Sequence, residues 1–247
     1  MRRYEEALAD YSRAIELSDS KTWALFTRGN LLEKLGRYDD ALADFNYAIN
    51  LGENSARAIA GRGIIYRVMG KYEEALADLN KAIELEPLYA WGVANRGMTY
   101  RLMGRHLEAL TDLNRAIELE PDNDWALVGR GMIYHVLGRD EEALADFNRA
   151  VALDPEYEWA LASRGTAYRA LGRYDEALAD FNRAIELDPD YEWAIAGRGV
   201  VYHLSGRYEE ALADFNRAIE LDPQSAWAIA RRGETYQRLG ERVLNCV

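Results

Sequence analysis

The sequence predicts an all-α fold, an α-solenoid of about seven stacked helix pairs, and three sets of evenly spaced residues predict it. The five prolines are Pro87, Pro121, Pro155, Pro189 and Pro223, each 34 residues after the last. The six tryptophans, Trp23, Trp91, Trp125, Trp159, Trp193 and Trp227, keep the same period, with Arg57 in the one gap. Fourteen of the nineteen glycines form two further columns at that spacing, Gly29 to Gly233 and Gly36 to Gly240. A period of about 20 to 50 residues marks a solenoid or array and overrides a domain count based on length. Seven periods of 34 occupy 238 of the 247 residues and leave nine, so a single array over 1–247 is expected. Its parts are a lone second helix in 1–21, full repeats at 22–55, 56–89, 90–123, 124–157, 158–191 and 192–225, and a last first helix with a short tail in 226–247.

Each element follows from the pattern inside one period. From Trp159, residues Leu161, Gly165, Tyr168 and Gly172 fall on one stripe at spacings of three and four, the mark of a helix. A second stripe holds Tyr174, Ala177, Leu178, Phe181, Ala184, Ile185 and Leu187. Gly172 separates the two, because glycine ends helices and takes positive φ cheaply. Pro189 ends the second helix, since proline disfavours α conformation in the residue before it. Gly165 faces Ala177 where the two backbones approach, and no strand pattern appears. At the ends, a second helix is expected from Tyr4 to Leu17 and a first helix from about Ser225 to Leu239.

Composition excludes several classes. Thirty Lys and Arg against 42 Asp and Glu give a net charge of −12, which disfavours unspecific nucleic-acid binding because phosphates demand basic surface. The one cysteine, Cys246, excludes an intrachain disulfide and a multi-cysteine metal site and fits a reducing, cytoplasmic setting. MRRYEEALAD has no apolar segment after its arginines, so it does not read as a signal peptide, and no apolar run suits a membrane span.

The period W-A-x-x-x-R-G-x-x-Y…G-R-Y-x-E-A-L-A-D-F-N-R-A-I-E-L-D-P resembles the tetratricopeptide repeat, a bacterial-type array of near-identical copies covering essentially the whole chain. The resemblance implies a right-handed superhelix of antiparallel helix pairs whose first helices line a concave groove that binds proteins or peptides. One departure is systematic: Arg28, Arg62, Arg96, Arg130, Arg164, Arg198 and Arg232 stand where the family usually has Leu. The first two repeats are looser, with Leu32 for Tyr and Gly52-Glu53-Asn54 for the proline turn. Some family members grip a C-terminal carboxylate with paired Lys and Asn in the groove; small residues dominate those places here, so that activity is not carried over.

A rotation of about 100° per residue places Trp159, Ala162, Ser163, Thr166, Arg169 and Ala170 on the groove face of their helix. The second helices turn Asp175, Glu176, Ala179, Asn182, Arg183 and Glu186 outward. The second helices barely vary between copies, whereas the groove columns do: Asn30, Ile64, Met98, Met132, Thr166, Val200, Glu234 in one, and Glu33, Arg67, Arg101, His135, Arg169, His203, Gln237 in another. Tuning of a groove and drift after duplication both read this way. The candidate groove residues are Trp91, Trp125, Trp159, Trp193, Met98, Met132, Arg67, Arg101, His135, Arg169 and His203, suited to a partner with apolar and acidic residues. The tryptophans read equally as packing against Tyr157 or Tyr191.

The arginine column has an aspartate column to match: Asp10, Asp44, Asp78, Asp112, Asp146, Asp180 and Asp214. Pairing each arginine with the preceding second helix, Arg28 with Asp10 through Arg232 with Asp214, uses all seven of each and is the register expected; same-period pairing strands Asp10 and Arg232. Tyr4, Leu8, Tyr11, Ile15 and Leu239 are expected partly bare, so head-to-tail self-association is the alternative to groove binding, and flanking segments of a longer protein would cover the same surfaces. Catalysis finds no support. His135 and His203 lie two periods apart, His106 replaces a tyrosine at a helix start, and no phosphate loop or dinucleotide fingerprint is present. No cofactor, metal, nucleic-acid or membrane partner is expected.

Overall fold

The structure, a computed structural model, describes residues 2–18, 21–52 and 56–245. Among them it contains fourteen helices and no strand. They are α1 (Arg2–Leu17), α2 (Thr22–Lys34), α3 (Tyr38–Asn50), α4 (Ala56–Val68), α5 (Tyr72–Leu85), α6 (Ala90–Leu102), α7 (His106–Leu119), α8 (Asp124–Val136), α9 (Asp140–Leu153), α10 (Glu158–Ala170), α11 (Tyr174–Leu187), α12 (Glu192–Leu204), α13 (Tyr208–Leu221) and α14 (Ala226–Asn245). Even numbers are the first helices of the repeats and odd numbers the second. The chain divides into two compact units, Met1–Pro121 with α1–α7 and Asp122–Val247 with α8–α14. Cys246 and the Glu53-Asn54 part of the turn after α3 lie outside the described residues.

Within each unit, every helix packs on its chain neighbours, and each first helix also packs on the next: α2 on α4 and α4 on α6, then α8 on α10, α10 on α12 and α12 on α14. No second helix meets another among the described residues. First helices are therefore the crowded side of each stack and form its inner face.

The turns follow the glycine and proline columns. Gly172 has φ +73°, with its N–H donating to Arg169 O at 3.0 Å and the Arg173 N–H donating to Tyr168 O at 2.9 Å. This left-handed cap closes α10. Asp188, before Pro189, is extended at φ −129°, and the Tyr191 N–H donates to its carbonyl at 3.1 Å. Gly240 is the exception in its column: it stays helical inside α14, which runs on to Asn245 beyond the expected end at Leu239. Glu241 accepts from Gln237 Nε2 at 3.0 Å and Arg238 at 3.4 Å, bonds that span the glycine and support the added turn.

The core is a series of rings seated in glycine slots. Phe45, Phe147, Phe181 and Phe215 are among the largest fully buried side chains. A β-carbon on Gly29 would lie 2.9 Å from the Phe45 ring and one on Gly61 only 2.6 Å from it, so Phe45 fills the space left by a glycine of its own repeat and one of the next. Phe181 sits in the same way between Gly165 and Gly197. At the second glycine's place Asn95 goes with Leu79 and Ser163 with Phe147.

The arginine column pairs within each period, not with the preceding second helix as the count of partners suggested. Arg28 meets Asp44 through two hydrogen bonds of 2.7 and 2.6 Å, and Arg62–Asp78, Arg96–Asp112, Arg130–Asp146, Arg164–Asp180 and Arg198–Asp214 repeat the bidentate geometry. The expected pairs Arg28–Asp10, Arg62–Asp44, Arg96–Asp78, Arg130–Asp112, Arg164–Asp146, Arg198–Asp180 and Arg232–Asp214 are corrected accordingly. The reason is distance: the glycine beside each arginine brings its helix closest to the second helix of the same repeat, as with Gly199 beside the Asp214 β-carbon. The remaining guanidinium nitrogen does reach the preceding second helix, but finds a neutral acceptor. Arg62 donates to Asn46 at 2.7 Å, Arg96 to Asn80 at 2.8 Å, Arg198 to Asn182 at 2.8 Å and Arg232 to Asn216 at 2.8 Å. Asn182 is thus a bridge between repeats and not the solvent-facing residue expected. Burial opposes the charge on Arg28, Arg62, Arg96, Arg164 and Arg198, and the hydrogen bonds they donate to the aspartates outweigh it, holding their pKa above the usual value.

Candidate functional site

The inner face of each unit carries a cavity built by successive first helices. In the second unit it measures about 590 Å³. Helix α10 supplies Thr166 and Arg169, α12 supplies Glu192, Trp193, Ala196, Gly197, Val200 and Leu204, and Trp227 and Arg231 come from α14. In the first unit a cavity of about 300 Å³ lies among Phe26, Asn30, Glu33 and Lys34 of α2, Gly61 and Ile64 of α4, and Tyr89 and Trp91 at the start of α6. The same helix faces line both because the 34-residue period returns each side chain to the same angle.

The tryptophans pack and line at once. Trp193 stands edge-on to Tyr191, centroids 6.1 Å apart, and also walls the larger cavity. Trp159 stands edge-on to Tyr157 at 6.0 Å, and its ring lies 4.9 Å from that of Trp125. Burial pushes the Tyr157 and Tyr191 phenols well above their usual range, so both remain neutral under their tryptophans. Trp91 is 40% exposed at the rim of the smaller cavity.

Met98 was expected in the groove and is instead fully buried, as is most of Ile64. Ala162 and Ser163 are likewise buried, and the Ser163 hydroxyl donates back to Trp159 O at 2.7 Å. Met132 remains half-buried in a small recess with His135, Thr166 and Trp193.

The basic column divides by partner. His135 Nδ1 lies 2.5 Å from Asp140 Oδ1, and His203 Nδ1 lies 2.9 Å from Thr235 Oγ1. Arg67 reaches Asn95 Oδ1 at 3.5 Å and feels Glu33, whose carboxyl is pushed up by burial against the pull of Arg67. Arg101 has a buried Nε with no hydrogen-bond partner among the described residues. Burial pulls the Arg101 and Arg169 guanidinium groups below their usual pKa, and a neighbouring arginine adds to it in each case, Arg67 beside Arg101 and Arg231 beside Arg169. Glu192, at the cavity edge, is pushed up by burial and then by Asp222.

Of the terminal residues expected partly bare, Tyr4 is exposed and Tyr11, Ile15 and Leu239 are half-buried. Leu8 is buried, because it joins Leu25 and Leu32 of α2 in a core cluster. Sequence reasoning passed over Glu192, Trp227 and Arg231 as cavity residues, although Trp227 stands in the tryptophan column. Among the described residues no group of three or more His, Cys, Asp or Glu is placed to hold a metal, and no helix is long and apolar enough to cross a membrane.

Stacked antiparallel pairs with cavities on the first-helix side define a helical-repeat protein. Family models described as tetratricopeptide repeat match residues 23–55, 56–89 and 89–156, and one described as TPR repeat matches 165–206 and 199–240. The chain belongs to the tetratricopeptide repeat (TPR) family. No curated protein matches it. Among solved structures it is similar to the APC/C hetero-tetramer Cut9–Hcn1, with TM-score 0.88 and 16% identity over 94% of this chain and 46% of that one. It therefore spans less than half the length of that relative. A tetratricopeptide repeat protein from Parabacteroides merdae gives TM-score 0.68 at 18% identity, over 96% of this chain and 100% of that one. These two likenesses show the fold alone. YrrB, described as a TPR protein with an unusual peptide-binding site, gives TM-score 0.55 at 26% identity, over 76% of this chain and 97% of that one.

Proposed function

We propose that the protein is a non-catalytic scaffold that binds a peptide or protein segment on the inner face of its first helices. The observation that carries this reading is the 590 Å³ cavity of the second unit, where two tryptophans, Val200 and Leu204 stand beside two arginines. Concave, largely apolar sites with a few placed polar groups suit a ligand that buries side chains and anchors by charge. Membership of a repeat family and similarity to YrrB, itself described as having a peptide-binding site, support it. Rigid helix pairs would present this surface with little rearrangement. A cytoplasmic setting, expected from the single cysteine, is part of the proposal. The test is binding of peptides selected from a displayed library. Trp193→Ala with Val200→Asp should remove their binding, while Asp175→Lys with Arg183→Glu on the outer helix α11 should not.

A second reading is self-association, and one observation favours it. Among the described residues Arg232 has Asn216 but no aspartate, and exposed Asp10 has no arginine. In a second copy of this chain these two would meet in the register that six pairs already use. Sedimentation over a range of concentrations tests it. Asp10→Arg and Arg232→Asp should each abolish association, and mixing the two variants should restore it.

A further inference from the structure

The chain carries more acid than base, yet among the described residues Arg101 and Arg169, both half-buried, form no ion pair with a carboxylate. Arg28, Arg62, Arg96, Arg130, Arg164 and Arg198 each hold an aspartate. The exposed arginines Arg105, Arg139, Arg173 and Arg207 each take a glutamate three residues on. Arg169 and Arg101, both on inner faces, have neither a hydrogen bond nor an ion pair among the described residues. Each instead has another arginine as its strongest charged neighbour. A half-buried cation beside a like charge is costly unless an anion joins it. Arg169 has room for one, since it opens onto the 590 Å³ cavity together with Trp193, Val200, Trp227 and Arg231, with Glu192 as the one acid at the cavity edge. Arg231 leans over the Trp227 ring at 5.7 Å and holds Glu234 at 2.8 Å, so its own charge is partly answered, whereas Asp140 acts on Arg169 without an ion pair and lies against His135, which leaves Arg169 the open one.

We propose that Arg169 is the anchor for an acidic side chain within a partner peptide, with an adjacent apolar side chain entering the cavity between Trp193 and Trp227. This deepens the peptide-binding reading and rests on it. The arrangement fits an internal aspartate or glutamate next to a large apolar residue. A guanidinium offers two parallel donors to a carboxylate, and the tryptophan walls take the neighbouring side chain. Arg101 repeats the condition in the first unit, with a buried Nε that lacks an acceptor.

The experiment is to pan the 247-residue chain against a library of twelve-residue peptides displayed at the N-terminus of a carrier, so that no free C-terminal carboxylate is offered. Selected peptides are then made with amidated C-termini, and their affinities measured by fluorescence anisotropy. The expected result is enrichment of an acidic residue beside an aromatic or aliphatic one. Replacing that acid by its amide should weaken binding to the wild type about ten- to hundredfold, the range for a hydrogen bond to a charged group. On Arg169→Gln the same replacement should change nothing, and Arg169→Lys, which keeps the charge, should retain part of the effect; circular dichroism checks that both variants fold. An equal loss on wild type and Arg169→Gln, or selected peptides without acid enrichment, overturns the proposal while peptide binding stands. Binding only when a free C-terminal carboxylate is restored also overturns it. If no peptide binds at all, the peptide-binding reading falls with it.

Discussion

Arg198 and Asp214 lie sixteen residues apart and meet through two hydrogen bonds of 2.8 and 2.7 Å, while the third guanidinium nitrogen reaches back to Asn182 at 2.8 Å. One side chain therefore ties a first helix to the second helices on both of its sides, by charge to its own repeat and by a neutral bond to the one before. Asp214 is buried, so removing its arginine leaves an uncompensated charge in the interior. Arg198→Ala should lower stability by about 2 to 4 kcal/mol, with the exposed part of the guanidinium keeping it below the upper limit for buried pairs. A double-mutant cycle checks the register. Arg198 and Asp214 should couple by more than about 1 kcal/mol, and Arg198 with Asp180 should add independently.

Gly197 should resist even alanine. Its β-carbon would stand 2.7 Å from the Phe181 ring, which must then shift in a close-packed layer. Overpacking costs about 1 to 3 kcal/mol, and the helix propensity gained returns about 1, so Gly197→Ala should lower the melting temperature. Adding Phe181→Leu should recover part of the loss, following the Leu79 and Asn95 combination already in the chain. Thermal unfolding of the three variants checks this.

His106 begins α7 with its Nδ1 buried and without a hydrogen-bond partner among the described residues. Tyrosine begins α3, α5, α11 and α13 at the same place. His106→Tyr removes the unanswered nitrogen and should stabilise by about 1 kcal/mol, a rise of about 2 to 4 °C in melting temperature by calorimetry.

His203 carries a pH dependence of definite sign. Burial lowers its pKa in the folded state, with Arg231 and Arg238 adding to it and Glu234 opposing, and its Nδ1 meets Thr235. The unfolded chain therefore takes up the proton first. The stability tied to neutral His203 is present above the unfolded pKa near 6.5 and is lost as pH falls through the lowered folded value. The melting temperature of the wild type should fall more between pH 7.5 and 5.5 than that of His203→Gln, which puts at this place the residue that Gln237 supplies in α14.

Most of the fold was legible in the sequence because its determinants are local and repeated. Gly172 takes the left-handed conformation its position requires, and Asp188 is extended before Pro189, as residue type alone dictates. The inner-face positions were legible as well, since a helix angle and a period locate them. The partner of each arginine was not. Satisfying every member of two columns favoured the preceding helix, but backbone approach at the glycine beside each arginine decided otherwise, and the repeated asparagine at Asn46, Asn80, Asn182 and Asn216 was the unread signal. Met98 escaped for a similar reason: its angle on α6 points inward to the groove, yet depth depends on the neighbours that close over it, and those are set by packing between repeats.

The central claim, that the first-helix face is the binding face, is tested most directly by photocrosslinking. A selected peptide carrying benzoylphenylalanine at its apolar anchor is bound to the chain, irradiated, and the attachment site read by mass spectrometry. Attachment within α10, α12 or α14, at residues such as Val200, Leu204 or Trp227, is the predicted result. Attachment confined to α9, α11 or α13 would contradict it.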